Sequence, residues 1–140
     1  MQQPQRDNGG VIPYDAQDIS LDDWLIRYIP SVHVSYQSGL PTLSSAAFSH
    51  STPPDDPRSS VSVDIERLLP SEHAAMPYRA KSTDGVAKLE VVKVRSLGLK
   101  VGWDPLPKNA AHGAIWGVGK SKSIRRRLRD GALLVVCPPQ

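Results

Sequence analysis

The chain has 140 residues, 39% hydrophobic and 22% charged, with 13 Pro, 10 Gly and one Cys. That length suits one domain able to bury about two-thirds of its unfolded surface. A lone cysteine excludes an internal disulfide framework and fits a reducing, cytoplasmic setting. No run of 18 apolar residues offers a membrane span, and the opening MQQPQRDNGG lacks the apolar stretch of a secretory leader. The net charge of +3 is a difference between unlike halves. Residues 1–83 carry 6 basic and 10 acidic side chains, a net of −4, whereas residues 84–140 carry 11 basic and 4 acidic ones, a net of +7. Such segregation points toward a polyanionic or acidic partner, DNA or RNA among them.

Residues 1–18 are polar and contain Pro4, Gly9, Gly10 and Pro13, so they are expected to form a flexible arm or extended strap that docks through Val11, Ile12 and Tyr14. A single α+β domain is expected over 19–140. The segment 19–29, ISLDDWLIRYI, predicts a short helix capped by Ser20, with Asp22 and Asp23 at its positive end and Pro30 stopping it. Residues 31–37 alternate as a half-buried strand, with Val32, Val34 and Tyr36 on one side and His33 and Ser35 on the other. Residues 38–60 read as a long Ser/Pro-rich loop holding one apolar island, Leu43 to Phe48, and the cluster PPDDP at 53–57. A strand running into a helix is expected over 61–69, ended by Pro70, Pro77 and the polar run 79–85.

The periodicity of 86–95 fits strand and helix alike, and Gly98 closes it in either case. Strands are predicted at 99–103 and 112–118, separated by the turn DPLPKN. Ser121 or Ser123 caps a helix, SIRRRLRD, with Ile124 and Leu128 on its inner face and Gly131 at its end. ALLVVC at 132–137 is the most apolar run, expected to be a buried strand that hides Cys137 as an inert thiol. The sum is an α+β domain: a small mixed sheet with two or three short helices.

Six basic side chains fall between Lys120 and Arg129. Lys120, Lys122, Arg125, Arg126, Arg127 and Arg129 form the candidate binding set, because charge-assisted contacts to phosphates are strong and salt-sensitive. Trp116 is the nearby candidate for base stacking. AIWGVGKS at 114–121 loosely matches a phosphate loop. Only 19 residues follow Ser121 in this sequence and no strand ending in a metal-binding Asp does, so Gly117 and Gly119 are read as a strand-to-helix turn. His33, His50, His73 and His112 lack metal-ligand spacing, and neither a metal nor a cofactor is expected. His33 and His112 are the weak catalytic candidates for acid–base chemistry on a nucleic acid or nucleotide, provided they share a cleft. Asp55 and Asp56 read as turn chemistry. Asp64 and Glu66 fit one strand face, where a paired-carboxylate site is conceivable but has no other support.

The blocks RYIPSVH, SSAAFSH, SVDIERL and DPLPKNAAHGAIWG resemble a pattern in small uncharacterised bacterial proteins that share a DPLP-x(4)-H-x-x-I block, over roughly residues 24–136. The resemblance implies a bacterial or phage-encoded protein and brings no activity with it. It centres attention on His33, Ser44, Ser45, Phe48, Ser62 and His112. Where the pattern carries a proline before the Ala-His pair, this chain has Ala110. The leading expectation is therefore a binding or accessory protein whose basic C-terminal helix engages nucleic acid or an acidic surface. The alternatives are a small enzyme using His33 and His112, and a subunit of a bacterial defence or toxin–antitoxin assembly.

Overall fold

A computed structural model of the chain describes residues 1–50, 56–70 and 83–140. Its centre is a six-stranded sheet built from β3 (Trp24–Ile29), β6 (Ser60–Ile65), β7 (Gly85–Glu90), β8 (Lys100–Trp103), β9 (His112–Trp116) and β10 (Leu133–Val136). The spatial order is β10-β7-β3-β6-β9-β8. Every pairing is antiparallel, so the expected mixed sheet is corrected to an antiparallel one within an α+β fold. Two short hairpins accompany it: β1 (Arg6–Asp7) with β2 (Gly10–Val11), and β4 (Val34–Gln37) with β5 (Leu40–Leu43). Among the described residues the helices are α1 (Val91–Ser96) and α2 (Lys122–Gly131), with 3-10 turns at Ser31–His33, Ser45–Phe48 and Glu66–Leu68.

One sheet face carries Leu25, Ile29, Val61, Val63, Ile65, Ala87, Leu89, Val101 and Ile115. These partner one another across the strands, and their shared side follows from the two-residue period of a pleat. They pack against Val91 and Val94 of α1, Leu128 of α2 and Phe48 of the Ser45–Phe48 turn. The opposite face is covered in patches. Ile26 and Val86 meet Leu69 and Ala111, and Ala114 and Trp116 meet Val11 and Tyr14 of the N-terminal strap. Val101 and Ala16 also bond along the free edge of β8, while Arg95 of α1 holds the strap by donating to the Ala16 and Ile19 carbonyls at 2.7 Å each.

The expected helix over 19–29 is a turn followed by β3. Ser20 and Asp23 carry out capping chemistry, but they close a four-residue turn. Asp23 N–H donates to the Ser20 carbonyl at 3.0 Å, and Ser20 N–H donates to the Asp23 carboxylate at 2.8 Å. Trp24, Ile26, Tyr28 and Ile29 are aromatic or β-branched and favour the pleated state once strands lie on both sides. The ambiguous segment 86–95 is both structures in succession, β7 and then α1. The long loop expected over 38–60 contains β5. Ser38 and Gly39 sit at φ 52° and 78°, the pair of left-handed residues that a two-residue hairpin turn requires. β10 is an edge strand rather than a buried one, leaving Leu133 and Val135 about half exposed and Cys137 exposed. The expected strand–helix at 61–69, the strands at 99–103 and 112–118, and the C-terminal helix appear close to their expected positions, the helix after 65 being only a 3-10 turn. His73, Asp55, Pro77 and most of PPDDP and of the run 79–85 lie outside the described residues.

Candidate functional site

α2 begins where its sequence says it should. Ser121 Oγ accepts from Ile124 N–H at 3.2 Å, and Gly117 and Gly119 make the preceding turn at φ 106° and 58°. The Ser121 hydroxyl is therefore a helix cap. Leu128 is buried, Ile124 packs against the same core, and the opposite side of α2 faces outward. Lys122 and Arg126 lie one turn apart on that outward side, with Arg129 one further turn along. Arg129 pairs with Asp130 at 3.0 Å. Arg125 is turned toward the domain, with its Nε buried and without a hydrogen-bond partner among the described residues.

Four acids of the N-terminal half pair with bases outside this helix. Asp7 pairs with Arg58, Asp15 with Arg95, Asp23 with Arg67, and Glu66 with Lys88. Asp104 takes Arg6 of the strap at 3.6 Å. Lys122, Arg126 and Arg127 are exposed and have no anionic partner among the described residues. Trp116 does not extend this surface. Its ring is 4% exposed, its indole N–H donates to the Arg58 carbonyl at 3.2 Å, and Tyr14 lies 6.0 Å from it, centroid to centroid. Little ring face is left for a base to stack on.

A second constellation lies in the sheet. β3 and β6 share rungs only at Leu25–Ile65 and Ile26–Asp64. Beyond Ile26 the guanidinium of Arg27 spans the gap, donating from Nη1 to the Ser62 carbonyl at 2.8 Å and from Nε to the Ala47 carbonyl at 3.1 Å. A cavity of ≈ 210 Å³ opens there, lined by Arg27, Tyr28, Ser62, Val63, Asp64, Asn109 and His112. Asp64 is 2% exposed, and its carboxylate accepts from Tyr28 Oη at 2.8 Å and Asn109 Nδ2 at 2.7 Å. His112 stands directly across from Asp64 on β9. Its Nδ1 lies 2.8 Å from the Asp104 carbonyl, which can only accept, so Nδ1 carries a proton there. Desolvation lowers the pKa of Arg27 from its ordinary value.

Of the residues singled out in the sequence, the cleft gathers His112, Ser62 and Asp64. His33 lies in the Ser31–His33 turn and does not line this cavity, so the two imidazoles do not share it. Ser44 caps the Ser45–Phe48 turn by accepting from Ala46 N–H, and Phe48 is wholly buried in the core. Arg27, Tyr28 and Asn109 were not singled out. The signal for Arg27 was available: once WLIRYI is read as a strand, Arg27 falls between Leu25 and Ile29 on the buried face. The DPLPKN turn has a positional purpose, since its Leu106–Asn109 bridge sets Asn109 over Asp64. No cluster of three or more His, Cys, Asp or Glu suited to a metal occurs among the described residues. No helix among them is long and apolar enough to cross a membrane. No family model, curated protein or solved structure matches the chain.

Proposed function

We propose that this protein is a binding module that engages nucleic acid through the outward face of α2. The observation that carries the reading is the distribution of ion pairs. Asp7, Asp15, Asp23 and Glu66 of the N-terminal half are taken by Arg58, Arg95, Arg67 and Lys88, whereas Lys122, Arg126 and Arg127 are exposed and have no anionic partner among the described residues. Cations held on one rigid helix neutralise phosphates and release counterions, and that gain weakens steeply with salt. Three such cations imply a salt exponent of about −2.7 on duplex DNA, so affinity falls about 40-fold between roughly 50 and 200 mM salt.

The test is fluorescence anisotropy with duplex DNA, single-stranded DNA and single-stranded RNA across that salt range. The combined Lys122→Ala, Arg126→Ala, Arg127→Ala variant is expected to lose nearly all of the salt dependence while keeping its circular dichroism spectrum. These residues bury no core surface, so the variant isolates charge from folding. Undiminished binding by this variant rejects the helix as the contact surface. Absence of binding by the wild type to all three probes rejects the nucleic-acid reading in favour of an acidic protein surface.

A further inference from the structure

The outer edge of β8 is covered by residues that do not themselves form a strand. Val101 and Trp103 turn their N–H and C=O groups away from β9, and the N-terminal strap takes all of them. Ala16 N–H donates to the Val101 carbonyl at 2.8 Å, and Val101 N–H donates to the Asp15 carboxylate at 2.9 Å. Trp103 N–H donates to Tyr14 Oη at 3.0 Å, and Tyr14 Oη donates to the Trp103 carbonyl at 2.9 Å. Three of these four bonds come from two side chains that imitate a neighbouring strand. An open sheet edge pairs readily with another chain, so the strap closes a pairing surface. Arg95 anchors one end of the strap through the Ala16 and Ile19 carbonyls. The remainder is held by partly exposed ion pairs, Arg6–Asp104, Asp7–Arg58 and Asp15–Arg95, which solvent and salt screen. A cavity of ≈ 230 Å³ lies between the chain near Gln2–Gln5 and the chain near Ile12–Asp18. Thin packing and exposed bonds place such a segment at the low-stability end of a fold.

The geometry points to β8 as a self-pairing edge: with the strap displaced, two copies of this chain join β8 to β8, antiparallel, about a two-fold axis at Gly102. The register follows from the groups on offer. Val101 faces the second copy's Trp103, and each such pair exchanges both of its N–H and C=O bonds. The groups that the strap now takes are thus satisfied by the same groups of the second copy. Gly102 meets Gly102 at the axis as the close pair, where neither residue carries a side chain. One step outward, Lys100 faces the second copy's Asp104, and the reciprocal pair forms on the other side of the axis. Asp104 continues the ladder by donating its N–H to the His112 carbonyl, so it lies on the same face as Lys100. Lys100 is exposed and has no anionic partner among the described residues. Asp104 now takes Arg6 of the strap at 3.6 Å. Displacing the strap removes Arg6, and the second copy supplies Lys100 in its place. This charge complementarity selects a second copy over an arbitrary extended segment. The two six-stranded sheets then become one continuous sheet. The inference does not rest on α2.

The experiment is sedimentation velocity on the full chain. Tyr14→Phe combined with Asp15→Ala deletes three of the four edge bonds and keeps an aromatic ring against Trp116. Each deleted bond raises the fraction of chains with an open strap by about 5-fold, roughly 100-fold for the three together. Both copies must open, so dimer formation by this double variant is expected to tighten by at least that factor over wild type. Within the double variant, Lys100→Glu sets like charges against Asp104, and Asp104→Lys sets like charges against Lys100. Each is expected to return the chain to monomer. An equimolar mixture of the two restores opposite charges at both positions and is expected to recover the dimer. Circular dichroism checks that the double variant folds; should it not, Tyr14→Phe alone, which removes only a hydroxyl, carries the same charge cycle. A folded variant that stays monomeric overturns the proposal and reassigns the edge to a strand of another chain. A dimer that survives either charge reversal, or a mixture that stays monomeric, overturns it as well.

Discussion

Asp23 offers a sharp test of how the turn before β3 is held. Its carboxylate accepts from Arg67 Nε at 3.0 Å, Arg67 Nη2 at 3.2 Å and Ser20 N–H at 2.8 Å, and Asp23 is only 9% exposed. Burial pulls the carboxyl upward, but the Arg67 and Ser20 hydrogen bonds outweigh it and leave the pKa below the ordinary 3.8. Arg67 is about half exposed, so the ion pair is screened and contributes about 0.5–1 kcal/mol. The Ser20 contact resembles a helix cap and contributes about 1 kcal/mol. Asp23→Ala is therefore expected to cost about 2 kcal/mol, a fall in Tm of about 7 °C for a chain of this length. Asp23→Asn keeps an acceptor for Ser20 and should fall by about half as much. The unfolded chain takes up the proton first, because its carboxyl has the higher pKa. The stability from Asp23 is thus fully present above pH 3.8 and is lost as pH falls through the lower folded value. Thermal melts by circular dichroism from pH 7 to 3 read both effects. Asp7, held at about 2 by its hydrogen bond to Arg58, also titrates in acid, so the informative quantity is the difference between wild type and Asp23→Asn. That difference should narrow as the pH falls. A difference that stays constant refutes the charge argument, and an Asp23→Ala melt within 1 °C of wild type refutes the clamp.

Other expectations follow from the packing of the strap and the edge strand. A Cβ on Gly102 would lie 2.5 Å from Trp116 Cζ3 and 2.9 Å from the Tyr14 ring and carbonyl, so Gly102→Ala should destabilise by about 1–3 kcal/mol. Limited proteolysis should then cut the strap before the sheet, and a variant as resistant as wild type contradicts its docking at this point. Cys137 is exposed, so a thiol reagent should label the native protein without denaturant; labelling that requires denaturant contradicts its placement.

Local chemistry was enough for some elements. Ser121 followed by Ile124 and Leu128 defines α2 by cap and spacing alone, and the strong segregation of charge needs no coordinates. The strands at 99–103 and 112–118 were likewise evident from apolar runs bounded by turn residues. Tertiary pairing decided the rest. WLIRYI carries helix-compatible spacing after a capping serine, and only the strands on both sides of it make the extended form favourable. ALLVVC is apolar enough for a buried strand, but its position at the sheet edge follows from the order of strands, which no local run encodes. The cleft is the extreme case. Arg27, Asp64, Asn109 and His112 are separated by as many as 85 positions in the sequence, and they meet because β3 and β6 diverge after two rungs. The sequence by itself determined where charge is concentrated and which segment becomes the basic helix, since both depend on neighbours a few residues away. Only the tertiary structure decided that Asp7, Asp15, Asp23 and Glu66 pair away from that helix and which polar side chains share a cavity, since burial and pairing are made between residues far apart in the chain.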